Sequence, residues 1–302
     1  MSTKPTVGFV GIGNMGWPMA ASLIRAGYSV QVADRRRVQA DNFVQQVGGF
    51  AADSLATLAA ECDVVITMLP TSANVGEVVA EGTDTLLAGL KPGSLVIDMT
   101  SGQPIVTRAL AEKVAAAGSV MIDAPVSGGV SRARTGELAI MVGGDAAAIE
   151  RARPVLSAIG TSILPCGGVG AGQAMKALNN LVSAGGFLIG IEALLIGQKF
   201  GLDAGLMTDV LNVSTGMNNS TQKKFRQFVL SRGFDSGFGL DLMVKDLSIA
   251  TGIGKEVGVP APFAALCREM WSAAAAALGP GQDHTAVAKL SELLAGFALE
   301  AE

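Results

Sequence analysis

Three glycines in Gly11-Ile12-Gly13-Asn14-Met15-Gly16 follow the apolar run Val7 to Val10 and precede an amphipathic stretch. Gly11 permits a tight turn, Gly13 lets the backbone approach a pyrophosphate, and Gly16 allows close packing of helix on strand. The helix that follows offers its first amides to the phosphate charge. Asp34 ends the next apolar run, 21 residues beyond Gly13, where a carboxylate reaches the hydroxyls of an adenosine ribose. Gly11, Ile12, Gly13, Asn14, Met15, Gly16 and Asp34 are therefore expected to hold a dinucleotide. Asp34 repels a 2′-phosphate and favours NAD, whereas Arg35, Arg36 and Arg37 can pair with that phosphate and keep NADP as the alternative. The same arginines also read as the solvated start of a helix.

Hydride transfer to or from an alcohol needs a group that takes the hydroxyl proton. The single histidine, His284, lies in the polar stretch Gly281-Gln282-Asp283-His284, which reads as a surface or capping position. Lys176 is the stronger candidate, because the chain from Ala152 up to Glu192 is otherwise uncharged apart from Arg153 near its start. Asn180 follows it by four residues and so shares its helix face. From spacing alone, a snorkelling lysine accounts for Lys176 as well as catalysis does. A second feature is Asp123-Ala124-Pro125-Val126-Ser127-Gly128-Gly129, which leaves an apolar run and exposes consecutive backbone amides beside a hydroxyl. Such a loop suits a carboxylate.

The elements that must hold these residues are legible in the hydrophobic pattern. Val7 to Val10, Val30 to Ala33, Val64 to Leu69, Leu95 to Met99, Val120 to Asp123 and Ala139 to Val142 read as strands, with crossover helices such as Met15 to Ala26 and Ile105 to Ala117 between them. Gly27 and Gly118 stand where helices end. Beyond the Gly-rich stretch Cys166 to Gly172 the strand signals thin out, and Gln173 to Phe200 reads as one long helix whose glycines lower its propensity. The expected fold is α/β: a Rossmann-type doubly wound parallel sheet over residues 1–165, followed by an all-helical domain over 166–302 that begins with a long interdomain helix.

Composition agrees with an α/β enzyme: 49% hydrophobic, 16% charged and 39 glycines among 302 residues. A net charge of −4 gives no footprint for nucleic acid. The apolar stretch Leu181 to Leu195 is interrupted by Ser183, paired glycines and Glu192 and is shorter than the roughly 20 residues of a membrane span, so no membrane partner is expected. Cys62, Cys166 and Cys267 are widely spaced, which argues against disulfides or zinc and for a reducing cytoplasm.

Four stretches in order resemble the β-hydroxyacid dehydrogenase family: Gly8 to Ala20, Asp123 to Gly129, Gly170-Ala171-Gly172-Gln173-Ala174-Met175-Lys176-Ala177-Leu178-Asn179-Asn180, and Lys245-Asp246-Leu247. The resemblance spans nearly the whole chain. It implies that Lys176 is the catalytic lysine and that Ser127, Gly128 and Gly129 hold a substrate carboxylate. It further implies that Asn180 positions the reacting oxygen and that Lys245 lies beside cofactor and substrate. Leu69, Pro70 and Asn74 are implied along the adenosine side, and Thr100 with Ser101 at the nicotinamide half. Two departures stand out: Thr100-Ser101-Gly102-Gln103-Pro104 replaces the family's more usual Ser-Thr-Ile or Ser-Ser-Ile, and Ser131-Arg132-Ala133-Arg134 is more basic than the usual continuation. The implied activity is hydride transfer between NAD(H) and a small β-hydroxy carboxylic acid by a homo-oligomer, dimer or tetramer. A non-catalytic dinucleotide-binding scaffold and an imine or ketone reductase use the same scaffold, and Lys176 beside Asn180 favours turnover.

Overall fold

The computed structural model describes residues 4–300. The chain forms two compact units, Met1–Lys176 and Ala177–Glu302.

Among the described residues the first unit holds nine strands: β1 (Val7–Val10), β2 (Val30–Ala33), β3 (Phe50–Ala51), β4 (Val64–Thr67), β5 (Leu95–Asp98), β6 (Val120–Asp123), β7 (Val126–Ser127), β8 (Leu138–Gly143) and β9 (Gly160–Gly167). Its helices are α1 (Gly16–Arg25), α2 (Arg37–Val47), α3 (Leu55–Glu61), α4 (Ser72–Gly76), α5 (Pro104–Ala116), α6 (Gly129–Thr135) and α7 (Ala146–Leu156). Strands β1, β4 and β5 are buried at every residue, as their unbroken apolar runs require of parallel strands covered on both faces. The two-residue period sorts their side chains: Val7, Phe9, Val64, Ile66, Leu95 and Ile97 enter one core, and Val10, Val65 and Val96 enter the core on the opposite face. Each such side chain contributes about 1.5–3 kcal/mol of burial. Local signals close the helices: Ser54 and Asp145 cap α3 and α7, and Pro104 opens α5.

The strand order is β3-β2-β1-β4-β5-β6-β8-β7, with β9 beside β8. From β3 to β6 every pairing is parallel, so chain direction reverses its march across the sheet between β1 and β4. Ligands bind at such a switch point, at the carboxyl ends of the strands. Val10, Thr67, Asp98 and Asp123 are register partners at those ends, so the loops that follow them emerge from one edge.

The sheet is not wholly parallel, as the sequence suggested. Strand β8 runs antiparallel to β6 and β7. Only residues 128–137 link β7 to β8, too few for the crossover of a dozen or more residues that a parallel return needs.

The second unit continues α8 (Ala171–Phe200) and adds α9 (Ala204–Asn212), α10 (Asn219–Lys223), α11 (Leu240–Glu256), α12 (Pro262–Leu278) and α13 (Ala288–Ala295). Among the described residues of this unit the only β pairing is the isolated bridge Gly239–Asp283. Its core centres on Phe187, which meets Phe225 edge-on at 5.4 Å and Trp271 at 6.0 Å. The glycines of α8 make room for neighbours: a Cβ at Gly190 would lie 2.6 Å from the Phe225 ring and one at Gly197 2.2 Å from Met207. With 30 residues and an 18-residue window of mean hydropathy 1.7, α8 is the one described helix long and apolar enough to cross a membrane. The observed helix matches the expected Gln173 to Phe200 to within two residues, and more than half of its most apolar window is buried within the protein.

Candidate active site

The loop after β1 is built around its glycines. Gly11 holds φ +99°, and a Cβ there would lie 2.3 Å from the Met68 carbonyl oxygen. A Cβ at Gly16 would lie 1.8 Å from the Gly11 carbonyl oxygen. Gly13 differs, since a Cβ there would touch no protein atom. Packing therefore does not demand that glycine, and a pyrophosphate resting on the backbone would. Asp34 Oδ2 accepts from the Ile12 N–H at 2.9 Å, and Gln39 Nε2 donates to the Ile12 carbonyl at 2.8 Å, so both faces of this loop residue are fixed. Asn14 is exposed and Met15 stands at the start of α1 without a side-chain cap. The residues fit a dinucleotide.

Of the three arginines after Asp34, Arg37 pairs with Asp41 at 2.9 Å and donates to the Ala52 carbonyl. Arg35 and Arg36 are exposed, with Arg36 Nε 3.9 Å from Asp34. At the ends of β4 and β5, the Leu69 N–H donates to Thr100 Oγ1 at 3.0 Å and the Thr100 N–H to Asp98 Oδ1. Thr100 is fully buried, so its side chain braces this turn, while Ser101 is half-buried beside it. Pro70 is exposed and Asn74 lies within α4, hydrogen-bonded to Thr71.

Ser127 closes β7 in register with Ala139, and Gly128 and Gly129 follow at φ +133° and +67°. Only glycine adopts this pair of conformations readily, and it leaves successive N–H groups at a half-exposed turn beside the Ser127 hydroxyl.

Lys176 lies on the second turn of α8 and is only 8% exposed. Asn180, one turn further on, is buried too. In the second unit Asn180 Nδ2 donates to Asp246 Oδ2 at 2.6 Å, and the ammonium of Lys245 stands 3.4 Å from Asp246 Oδ1. Buried Asp246 thus holds both residues, a role its place in the Lys245-Asp246-Leu247 motif did not disclose. Asp98, Asp123 and Gln173 were likewise missed as a working set. The available signal was an aspartate closing each of two apolar runs, Leu95 to Asp98 and Val120 to Asp123.

His284 corrects its sequence reading. It is buried, not at the surface, in an aromatic surround of Phe187, Phe238 and Trp271, with Nδ1 at 3.0 Å from Ser236 Oγ and 3.2 Å from the Phe238 carbonyl. Desolvation lowers its pKa and keeps it neutral. It is a core histidine.

A doubly wound sheet with this glycine loop at its switch point defines a dinucleotide-binding domain, here followed by a helical one. A model of the NAD binding domain of 6-phosphogluconate dehydrogenase matches residues 6–168, and one of the NAD-binding region of NADP-dependent 3-hydroxyisobutyrate dehydrogenase matches 170–291. The chain is 40% identical over 293 residues to a 3-hydroxyisobutyrate dehydrogenase of Pseudomonas aeruginosa, covering 94% of this chain and 97% of that protein. It is 37% identical over 300 residues, 99% of each chain, to a 2-(hydroxymethyl)glutarate dehydrogenase of Eubacterium barkeri. The solved structure of Mycobacterium tuberculosis 3-hydroxyisobutyrate dehydrogenase with L-serine superposes with TM-score 0.87 at 35% identity, covering 95% of this chain and 99% of that one. The chain belongs to the β-hydroxyacid dehydrogenase family.

Proposed function

We propose that this protein moves hydride between NAD(H) and the β-hydroxyl, or matching aldehyde or ketone, of a small β-hydroxy carboxylic acid such as 3-hydroxyisobutyrate, glycerate or a serine-like acid. The observation that carries this reading is Lys176, a buried lysine on the same face of α8 as buried Asn180. The chain's one histidine is locked in an aromatic core and so does not compete for this role. The structure with L-serine shows that a relative takes a carboxylate with a β-hydroxyl.

In the oxidation, bound nicotinamide supplies the hydride acceptor. Ser127 and the Gly128 and Gly129 amides hold the substrate carboxylate, Lys176 takes the hydroxyl proton on its amine, and Asn180, steadied by Asp246, orients the reacting oxygen. Lys245, whose ammonium stands 3.4 Å from Asp246 Oδ1, supplies positive charge. Reduction reverses the proton's path. Holding donor and acceptor in one geometry removes much of the entropic barrier. A scaffold protein or an imine reductase has no need of a buried lysine aligned with Asn180. Steady-state rates with β-hydroxy acids and both cofactors test the proposal, and no turnover of any acid would overturn it.

We also propose a homo-oligomer. Val182, Ile189 and Ile196 recur every seven residues along α8 and are 76%, 55% and 71% exposed, an apolar stripe suited to a second copy of the chain. Sedimentation as a monomer would refute it. The free thiols Cys62, Cys166 and Cys267 support placement in a reducing cytoplasm, which fractionation tests.

A further inference from the structure

The amino end of α8 follows Gly168, Val169 and Gly170, none of which carries a capping side chain. Its first amides are met instead by Asp123, the last residue of β6. Oδ1 accepts from the Gly170 N–H at 2.6 Å and Oδ2 from the Gln173 N–H at 2.8 Å, the service a local N-cap would perform. Gln173 is held a second time: its Nε2 donates to Asp98 Oδ2 at 2.9 Å, and its Oε1 accepts from Thr107 Oγ1 at 2.7 Å. Asp98 and Asp123 are register partners, so one helical turn is pinned to two adjacent strand ends. The packing leaves little slack, since a Cβ at Gly143 would lie 2.4 Å from Asp123 Oδ1 and one at Gly172 2.8 Å from Oδ2. Lys176 follows Gln173 by three residues and so lies on its side of the helix.

We propose that Asp123, acting with Gln173 and Asp98, is a positioning residue for Lys176, fixing the rotation and height of the first turn of α8 and hence where the lysine amine stands. The proposal rests on Lys176 being the proton acceptor. Burial is the dominant influence on both carboxyls and pushes each up to about 6, so this arrangement is costly. A serine or aspartate placed just before α8 would satisfy the same amides without burying two acids. What the costlier arrangement adds is a fixed relation between helix and sheet edge, which a proton acceptor needs and a mere cap does not.

Asp123→Asn keeps the side chain's size but replaces one acceptor oxygen with a donor, so one of the two amide contacts is lost. Its kcat should fall about tenfold or more, while NAD affinity by calorimetry and melting temperature at neutral pH stay near wild type. The double variant Asp123→Asn/Lys176→Ala should be no slower than Lys176→Ala alone, because Asp123 then has nothing left to act through. Should Asp123→Asn not fold, Gln173→Met keeps the volume, removes the Asp98 and Thr107 contacts, and enters the same comparison. Wild-type kcat, a loss that disappears when rates are scaled to folded protein, or losses that multiply in the double variant would each overturn the proposal. Full turnover by Lys176→Ala overturns the proton-acceptor reading, and this proposal with it, so the two failures are told apart.

Discussion

Asn180 donates its side-chain amide to Asp246 at 2.6 Å, tying α8 to α11 inside the helical unit. Two residues expected to face substrate, Asn180 and Lys245, are thereby held by a third that is not expected to touch it. Asp246→Ala should free both, lowering kcat/KM for the hydroxy acid about tenfold or more, a larger loss than in NAD affinity, since only Lys245 of the two is expected to touch the cofactor. Unaltered hydroxy-acid kinetics would show that neither residue depends on it.

Lys176→Ala should lower kcat by at least about a hundredfold, the scale for loss of a general acid or base, with NAD still bound. Single-turnover measurements separate the two effects, and near-normal hydride transfer would remove Lys176 from the mechanism.

Asp34→Ala removes the carboxylate that opposes a 2′-phosphate and also the acceptor for the Ile12 N–H. The expected result is weaker NAD use and a ratio of NAD to NADP efficiency that narrows or reverses. A wild-type preference for NADP would point instead to exposed Arg35 or Arg36 as phosphate ligands.

Substrate class can be read from a matched series of β-hydroxy acids, their neutral amides and α-hydroxy acids. If Ser127, Gly128 and Gly129 hold a carboxylate, the amide should lose several kcal/mol of transition-state stabilisation, chiefly in kcat/KM. Equal rates for acid and amide, or faster α-hydroxy acids, would contradict the carboxylate site.

Asp123 carries a pH signature in stability. Desolvation first, and Asp98 nearby, raise its carboxyl from 3.8 to about 6 in the folded protein, so between those values the native state binds more protons than the unfolded chain. Its contribution is present in full below about pH 4 and is lost as pH rises through about 6. Buried His284 titrates in the opposite sense but is common to wild type and Asp123→Asn. The wild-type urea midpoint minus that of the variant should therefore fall from pH 4 to pH 6.5, and a difference that grows would contradict the assignment.

The parallel sheet was legible because β1, β2, β4, β5 and β6 bury most of their side chains and write that burial as continuous or alternating apolar runs. Two-residue β3 and β7 are too short to show a period, and β9 passed unnoticed because its mostly unburied residues and Pro165 carry no apolar alternation. The glycine loop with Asp34 was readable because its parts lie within one strand–turn–helix–strand unit. The work of Asp123 was not, because its partners Gly170 and Gln173 lie 47 and 50 residues away and pair through backbone amides that any residue but proline supplies. His284 was misplaced because polar neighbours in sequence say nothing of Phe187 and Trp271, which reach it from other helices.

Four glycines in α8 also bear on how the protein becomes active. Gly185, Gly186, Gly190 and Gly197 each cost an isolated helix roughly 1 kcal/mol relative to alanine. The contacts they admit, Phe225 against Gly190 and Met207 against Gly197, exist only once later segments of the chain have arrived. Helicity here therefore rests on tertiary packing more than on intrinsic propensity. A nascent chain ending near Lys176 would already carry every described strand and the glycine loop, while its lysine would sit on a frayed helix end, so the buried setting of that amine comes only with the residues that follow.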